Sequence, residues 1–198
     1  MKHVFVETNF LIDLLRPFPS RDAKALFERN DGVDLRLYIP WCCQSEAWRT
    51  LKDRIIMEDL GFTTAMMKFT VERWTADNTL FQKPEIDRLR RLAEADRSVA
   101  LQSLEQRIQV AVEKMAIIEP SPTVVRRTLQ VFKVKTLKPF DEMVLGAVLS
   151  KATELYNANE RGLHFCSLDK DLAGNHLPLV EEYQSCGLNV RRDFQVPL

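Results

Sequence analysis

The chain has 198 residues, 45% of them apolar, and 28 basic side chains balance 28 acidic ones to a net charge of zero. That length can bury one sizeable core, and the neutral balance excludes a global positive field as the means of holding a polyanion. The four cysteines, Cys42, Cys43, Cys166 and Cys186, form no Cys-x-x-Cys pair, and with three histidines in the chain the usual zinc spacings do not occur. The first residues show no charged-then-apolar leader pattern, and no apolar run is long enough to span a bilayer. The expectation is a cytoplasmic protein, without a membrane partner, whose four thiols are free and buried.

Residues 4–6 predict a short buried strand that empties into Glu7-Thr8-Asn9. A helix over 8–15 follows at once and is stopped by Arg16-Pro17-Phe18-Pro19. Ser20 is placed to cap a helix over 21–29, and residues 35–39 read as a second strand. Pro40 is suited to open the next helix, because its missing N–H costs nothing in a first turn. That helix carries Glu46 and continues to about Leu60-Gly61. The stretch 63–115 reads as almost wholly helical with a break near Lys83-Pro84. Its apolar residues Leu101, Leu104, Ile108, Ala111 and Met115 recur at three-four spacing, which makes one stripe. The stripe suits an inserted helical hairpin or a dimer seam, and a run this short favours the hairpin.

A third strand over 116–119, helices over 122–132 and 141–155, and strands over 163–167 and 188–190 complete the chain. Strands alternating with helices predict a three-layer α/β/α architecture around a central parallel sheet of about five strands. The reading is one domain over 1–198 with a helical insertion at about 62–115.

Four acids stand in comparable settings along this pattern. Glu7 ends the first strand, beside Thr8 and Asn9; its ordinary role is a surface acid favouring the next helix N-terminus. Glu46 sits among Trp41, Cys42, Cys43, Ala47 and Trp48, a setting in which a carboxylate needs a partner, whether a metal, Arg49 or Arg54. Asp141 heads the apolar run 143–149, where its ordinary role is an N-cap, and Glu142 either shares its site or faces water. Asp169 follows the fourth strand, with Ser167 and Asp171 as further oxygen donors, and a turn acid is its ordinary role. In a doubly wound sheet those four positions converge at the carboxyl edge. Carboxylates gathered there repel one another unless a cation neutralises them, so the set points to a divalent-metal site and to phosphodiester cleavage.

The motifs themselves resemble those of the PIN-domain nucleases. The resemblance rests on Val6-Glu7-Thr8-Asn9-Phe10-Leu11, Ser45-Glu46-Ala47, Lys138-Pro139-Phe140-Asp141 and Ser167-Leu168-Asp169-Lys170-Asp171. It covers roughly 2–52 and 116–192 and leaves the helical middle aside. It implies a PIN-like fold in which Glu7, Glu46, Asp141 and Asp169 bind Mg2+ or Mn2+ and catalyse hydrolysis, supported by Thr8, Asn9, Ser167 and Asp171. It also implies single-stranded or structured RNA as substrate, an antitoxin protein as partner if the chain is a toxin–antitoxin toxin, and a homodimer. The first acid of the pattern is ordinarily aspartate, and here it is Glu7. The alternative that this departure raises is a catalytically impaired PIN-fold module that binds RNA or protein.

Arg126, Arg127, Lys133, Lys135 and Lys138 form an acid-free basic run leading into Asp141, suited to gripping substrate or to forming a solvated face. Trp41, Trp48 and Trp74 could stack bases, but core packing is the expectation. A haloacid-dehalogenase-type phosphatase, which needs aspartates at the first strand tip and two residues later, is set aside because those positions hold Glu7 and Asn9.

Overall fold

The computed structural model describes residues 1–16, 18–57, 83–134, 137–174 and 176–197. They fall into two compact units, one made of Met1–Ala47 with Ile108–Leu198 and the other of Trp48–Arg107. The first holds a five-stranded, all-parallel sheet: β1 (Lys2–Val6), β2 (Leu35–Pro40), β3 (Ala116–Ile118), β4 (Leu163–Cys166) and β5 (Leu188–Arg191). The strand order is β3-β2-β1-β4-β5. Helices are α1 (Thr8–Leu14), α2 (Arg21–Glu28), α3 (residues 41–57), α4 (Lys83–Glu113), α5 (Pro122–Val134), α6 (Pro139–Asn157) and α7 (Leu177–Ser185). The architecture is the three-layer α/β/α arrangement that the alternation of strands and helices predicts.

Central strands of such a sheet are covered on both faces, and their side chains are apolar with little alternation. Val4, Phe5 and Val6 of β1 are fully buried, with Phe5 opposite Tyr38 of β2 and Phe165 of β4. The chain lays β1, β2 and β3 outward on one side, then returns to place β4 and β5 on the other. Its direction of winding therefore reverses between β1 and β4, the switch point where open α/β sheets leave a crevice at their carboxyl ends.

Helix α6 packs on the sheet and on α5 through a nearly continuous buried run from Val144 to Leu149. Burying leucines as fully as Leu145 and Leu149 contributes about 1.5–3 kcal/mol each. The α5–α6 crossing is close enough to require Gly146: a Cβ there would stand 2.7 Å from the Thr128 Cα. Of the stripe residues, Leu104, Ile108, Ala111 and Met115 are buried and Leu101 is half-buried.

Several elements depart from the sequence expectation. Pro40 closes β2, opposite Ile118, and the helix begins one residue later. Proline's fixed φ suits a strand end as well as a first helical turn, and at a strand end its missing N–H interrupts no further ladder. Helix α6 begins at Pro139 with Lys138 as N-cap, so Asp141 lies inside the first turn and is not the cap. Helix α7 was not expected; its short span with Pro178 near the start and few buried positions, chiefly Leu179 and Tyr183, gives a weak period. The expected end of the Glu46 helix near Leu60-Gly61, and the part of the expected helical stretch before Lys83, lie in 58–82, outside the described residues; α4 begins at Lys83. The four cysteines are free and buried. Among the described residues no helix is long and apolar enough to cross a membrane.

Candidate acidic site at the carboxyl edge of the sheet

Glu7 leaves β1 in an extended conformation (φ −124°, ψ −173°) and N-caps α1, its Oε2 accepting the Asn9 N–H at 2.8 Å. The other oxygen, Oε1, accepts the Leu168 N–H at 3.3 Å and the Ser167 hydroxyl at 3.4 Å. These bonds cross the switch point from the end of β1 to the end of β4. Glu7 is therefore no surface acid: only 4% of it is exposed. Burial raises its pKa, hydrogen bonds from Asn9 and Leu168 oppose that rise, and the charge of Asp169 adds to it. A capping role was legible from its position, whereas burial under the β4 exit loop was not.

Thr8, also buried, donates its hydroxyl to Glu46 Oε2 at 2.5 Å, which ties α1 to α3. That hydroxyl is the partner Glu46 needed. Cys42 and Cys43 lie buried in the same first turn of α3. Burial pushes the Cys43 thiol well up, and the hydrogen bond from Cys43 lowers Cys42.

Ser167 is fully buried and its Oγ accepts the Asp169 N–H at 3.1 Å. The Asp169 carboxylate in turn accepts the Asp171 N–H at 2.6 Å. Asp169 is half-buried and Asp171 exposed. Asp141, half-buried in the first turn of α6, has its pKa raised first by burial and next by the charge of Asp169. Lys138 pulls it back down, while Glu46 and Asp171 raise it further. Carboxylates of α3 and the β4 exit loop thus act on Asp141 of α6 at the edge of the sheet. Neighbouring Glu142 does not face water; it is buried, with 8% exposed.

As the side chains lie, no group of three or more His, Cys, Asp or Glu among the described residues stands close enough to hold a metal ion. The donors nonetheless have the chemistry such an ion requires. They are hard carboxylate oxygens of the kind that suits Mg2+ or Mn2+, and like-charge repulsion at Asp141 is what a cation relieves. Glu46, Asp141 and Asp169 are each half-buried, whereas Glu7 is buried and held on both oxygens.

The basic residues divide. Lys138 is exposed at the head of α6 and acts on Asp141. Arg126 and Arg127 border a cavity of about 660 Å3 with Ser150, Thr153 and Glu154, in the distal half of α6. That is roughly 15 Å along the helix from Asp141. Arg127 is half-buried and pairs with Glu182 of α7. The Lys133 side chain and Lys135 lie outside the described residues. Trp41 heads α3 with 36% of its surface exposed, so the expectation of core packing fails for it; Trp48 is half-buried, and Trp74 lies outside the described residues. A larger cavity, about 850 Å3, is lined by Phe27, Asn30, Arg36 and Lys114 at the opposite, amino edge of β2 and β3.

Fold and site together describe a doubly wound α/β protein with acids on both sides of its switch point. No family model matches the chain, and no curated protein matches it. Among solved structures the chain is similar to the crystal structure of FitAcB from Neisseria gonorrhoeae, at 12% identity over 94% of this chain and 95% of that chain, with a TM-score of 0.43. It is also similar to a structure of FitAB bound to an IR36 DNA fragment, at 10% identity over 98% of each chain, with a TM-score of 0.46.

Proposed function

We propose that this chain is a PIN-type nuclease that hydrolyses RNA phosphodiester bonds with Mg2+ or Mn2+. The observation that carries this reading is the like-charge pressure on Asp141 from Asp169, Glu46 and Asp171 beside the switch point. Glu46, Asp141 and Asp169 are the carboxylates proposed to hold the ion. Bound there, the ion would supply a water of lowered pKa and offset negative charge developing on the phosphoryl group.

The chain's own residues do the positioning. Thr8 holds Glu46 through its hydroxyl, and Ser167 holds the backbone of Asp169. Lys138, exposed beside Asp141, offers a cation to the substrate phosphate, and Lys133 and Lys135 are proposed to extend that grip. His3 is not used as a general base in this scheme: it is 1% exposed and bonded to Tyr38 and Glu160. Single-stranded or structured RNA, an antitoxin partner and a homodimer belong to the same proposal, on the strength of the motif resemblance.

Incubating the protein and Asp141→Asn with mixed single-stranded RNA in Mn2+, Mg2+ or EDTA tests it. Cleavage is expected in either metal, and is expected to vanish in EDTA and in the variant. Cleavage that survives in both would overturn the reading. A second reading, a PIN-fold module that binds RNA without cutting it, is favoured by the engagement of both Glu7 oxygens. It predicts RNA binding in EDTA and no cleavage in either metal.

A further inference from the structure

We propose that Glu7 is a positioning residue and not one of the metal-holding carboxylates: it clasps the exit of β4 to the exit of β1 and so sets where Asp169 stands. The inference rests on the nuclease reading above. Three observations support it. Glu7 has donors on both oxygens, from Asn9 on one and from Leu168 and Ser167 on the other. With 4% of its surface exposed, it is far less open than the half-buried Glu46, Asp141 and Asp169. The Ser167 hydroxyl has one proton, and giving it to Glu7 leaves the Ser167 lone pairs to accept the Asp169 N–H. A carboxylate at position 7 therefore acts on Asp169 through Ser167.

The side-chain length follows from this role. A carboxylate one methylene shorter would draw back by about 1.5 Å, roughly one C–C bond. The contacts to Leu168 and Ser167, already at 3.3 and 3.4 Å, would then open beyond hydrogen-bond reach. Glutamate is the acid that spans the switch point from this strand end while still capping α1 through Asn9.

The test combines amide hydrogen exchange, followed by NMR on the metal-free protein, with the number of waters on bound Mn2+, read by electron spin-echo spectroscopy. Glu7→Asp is expected to speed exchange at Leu168 and Asp169 by more than about tenfold. Ser167→Ala is expected to speed it at Asp169 and leave Leu168 unchanged. Glu7→Gln is expected to bind Mn2+ with the same water count as the wild type, whereas loss of a true ligand would admit one more water. Unchanged exchange in Glu7→Asp, or an added water in Glu7→Gln, overturns the proposal. If Glu7→Asp does not fold, Ser167→Ala decides: uniform exchange changes at Leu168 and Asp169 overturn the clasp. A wild type that binds no Mn2+ would sink the nuclease reading, while the exchange results would still decide the clasp.

Discussion

Glu7 and Asp141 both ionise reluctantly, and in both the first cause is burial. For Asp141 the folded-state pKa lies above the ordinary 3.8, so ionising it opposes folding. The stability it contributes is fully present below 3.8 and is lost as pH rises through the folded value. Asp141→Asn should therefore melt slightly higher than the wild type at pH 7. That advantage should shrink as pH falls toward 3.8, where the wild-type side chain is protonated as well. Melting curves across pH check this, and a gain that persists undiminished at pH 4 would assign it to packing. Thr8→Val keeps the shape of a buried side chain and removes the donor to Glu46, at an expected cost of about 1 kcal/mol. Urea unfolding measures it.

At the scale of elements, the position of α6 governs the site because its first turn carries Asp141. Its seat depends on the close crossing with α5. Gly146→Ala would set a methyl 2.7 Å from the Thr128 Cα and 2.8 Å from its nitrogen, and backbone cannot swing away as a side-chain tip does. The expected loss is about 1–3 kcal/mol, read from the urea midpoint, with RNA cleavage falling alongside. Prolines mark two boundaries with opposite outcomes: Pro139 opens α6, and Pro40 closes β2. A single fixed φ is compatible with both, so the residue alone does not say which element it belongs to.

At the scale of the molecule, strand order brings distant acids to one edge. Glu7 and Asp169 are separated by most of the chain, yet β1 and β4 are neighbours, paired from His3 with Leu163 to Val6 with Cys166. An ion that binds only this assembled edge must stabilise the fold by mass action. At a hundred times its dissociation constant, Mn2+ should add about 2.7 kcal/mol, visible as a melting temperature several degrees higher and reversed by EDTA. A melting temperature indifferent to Mn2+, Mg2+ and EDTA would count against any metal at this edge. If the proposed RNA substrate is held as suggested, neutralising Lys133, Lys135 and Lys138 together should flatten the slope of log affinity for single-stranded RNA against log salt by roughly 2. An unchanged slope would remove those lysines from the grip.

Much of the fold was legible in the sequence because its signals are local. Runs of buried apolar residues mark β1 and β2, Ser20 caps α2 as its position suggests, and the alternation of strand and helix implies a parallel sheet. The helix α7 was illegible because its nine residues bury few side chains and include a proline. At the site, the four candidate acids could be singled out by their settings at strand ends and helix starts, with the motif resemblance supplying the rest of the set. What they do to one another could not. That Glu7 is buried and bonded from Leu168 and Ser167, that Thr8 serves Glu46, and that Asp141 feels Asp169 all follow from which strands are neighbours. Hydrogen bonds and burial across the switch point join residues up to 161 positions apart, and the energy of such contacts exists only once the sheet has brought them together.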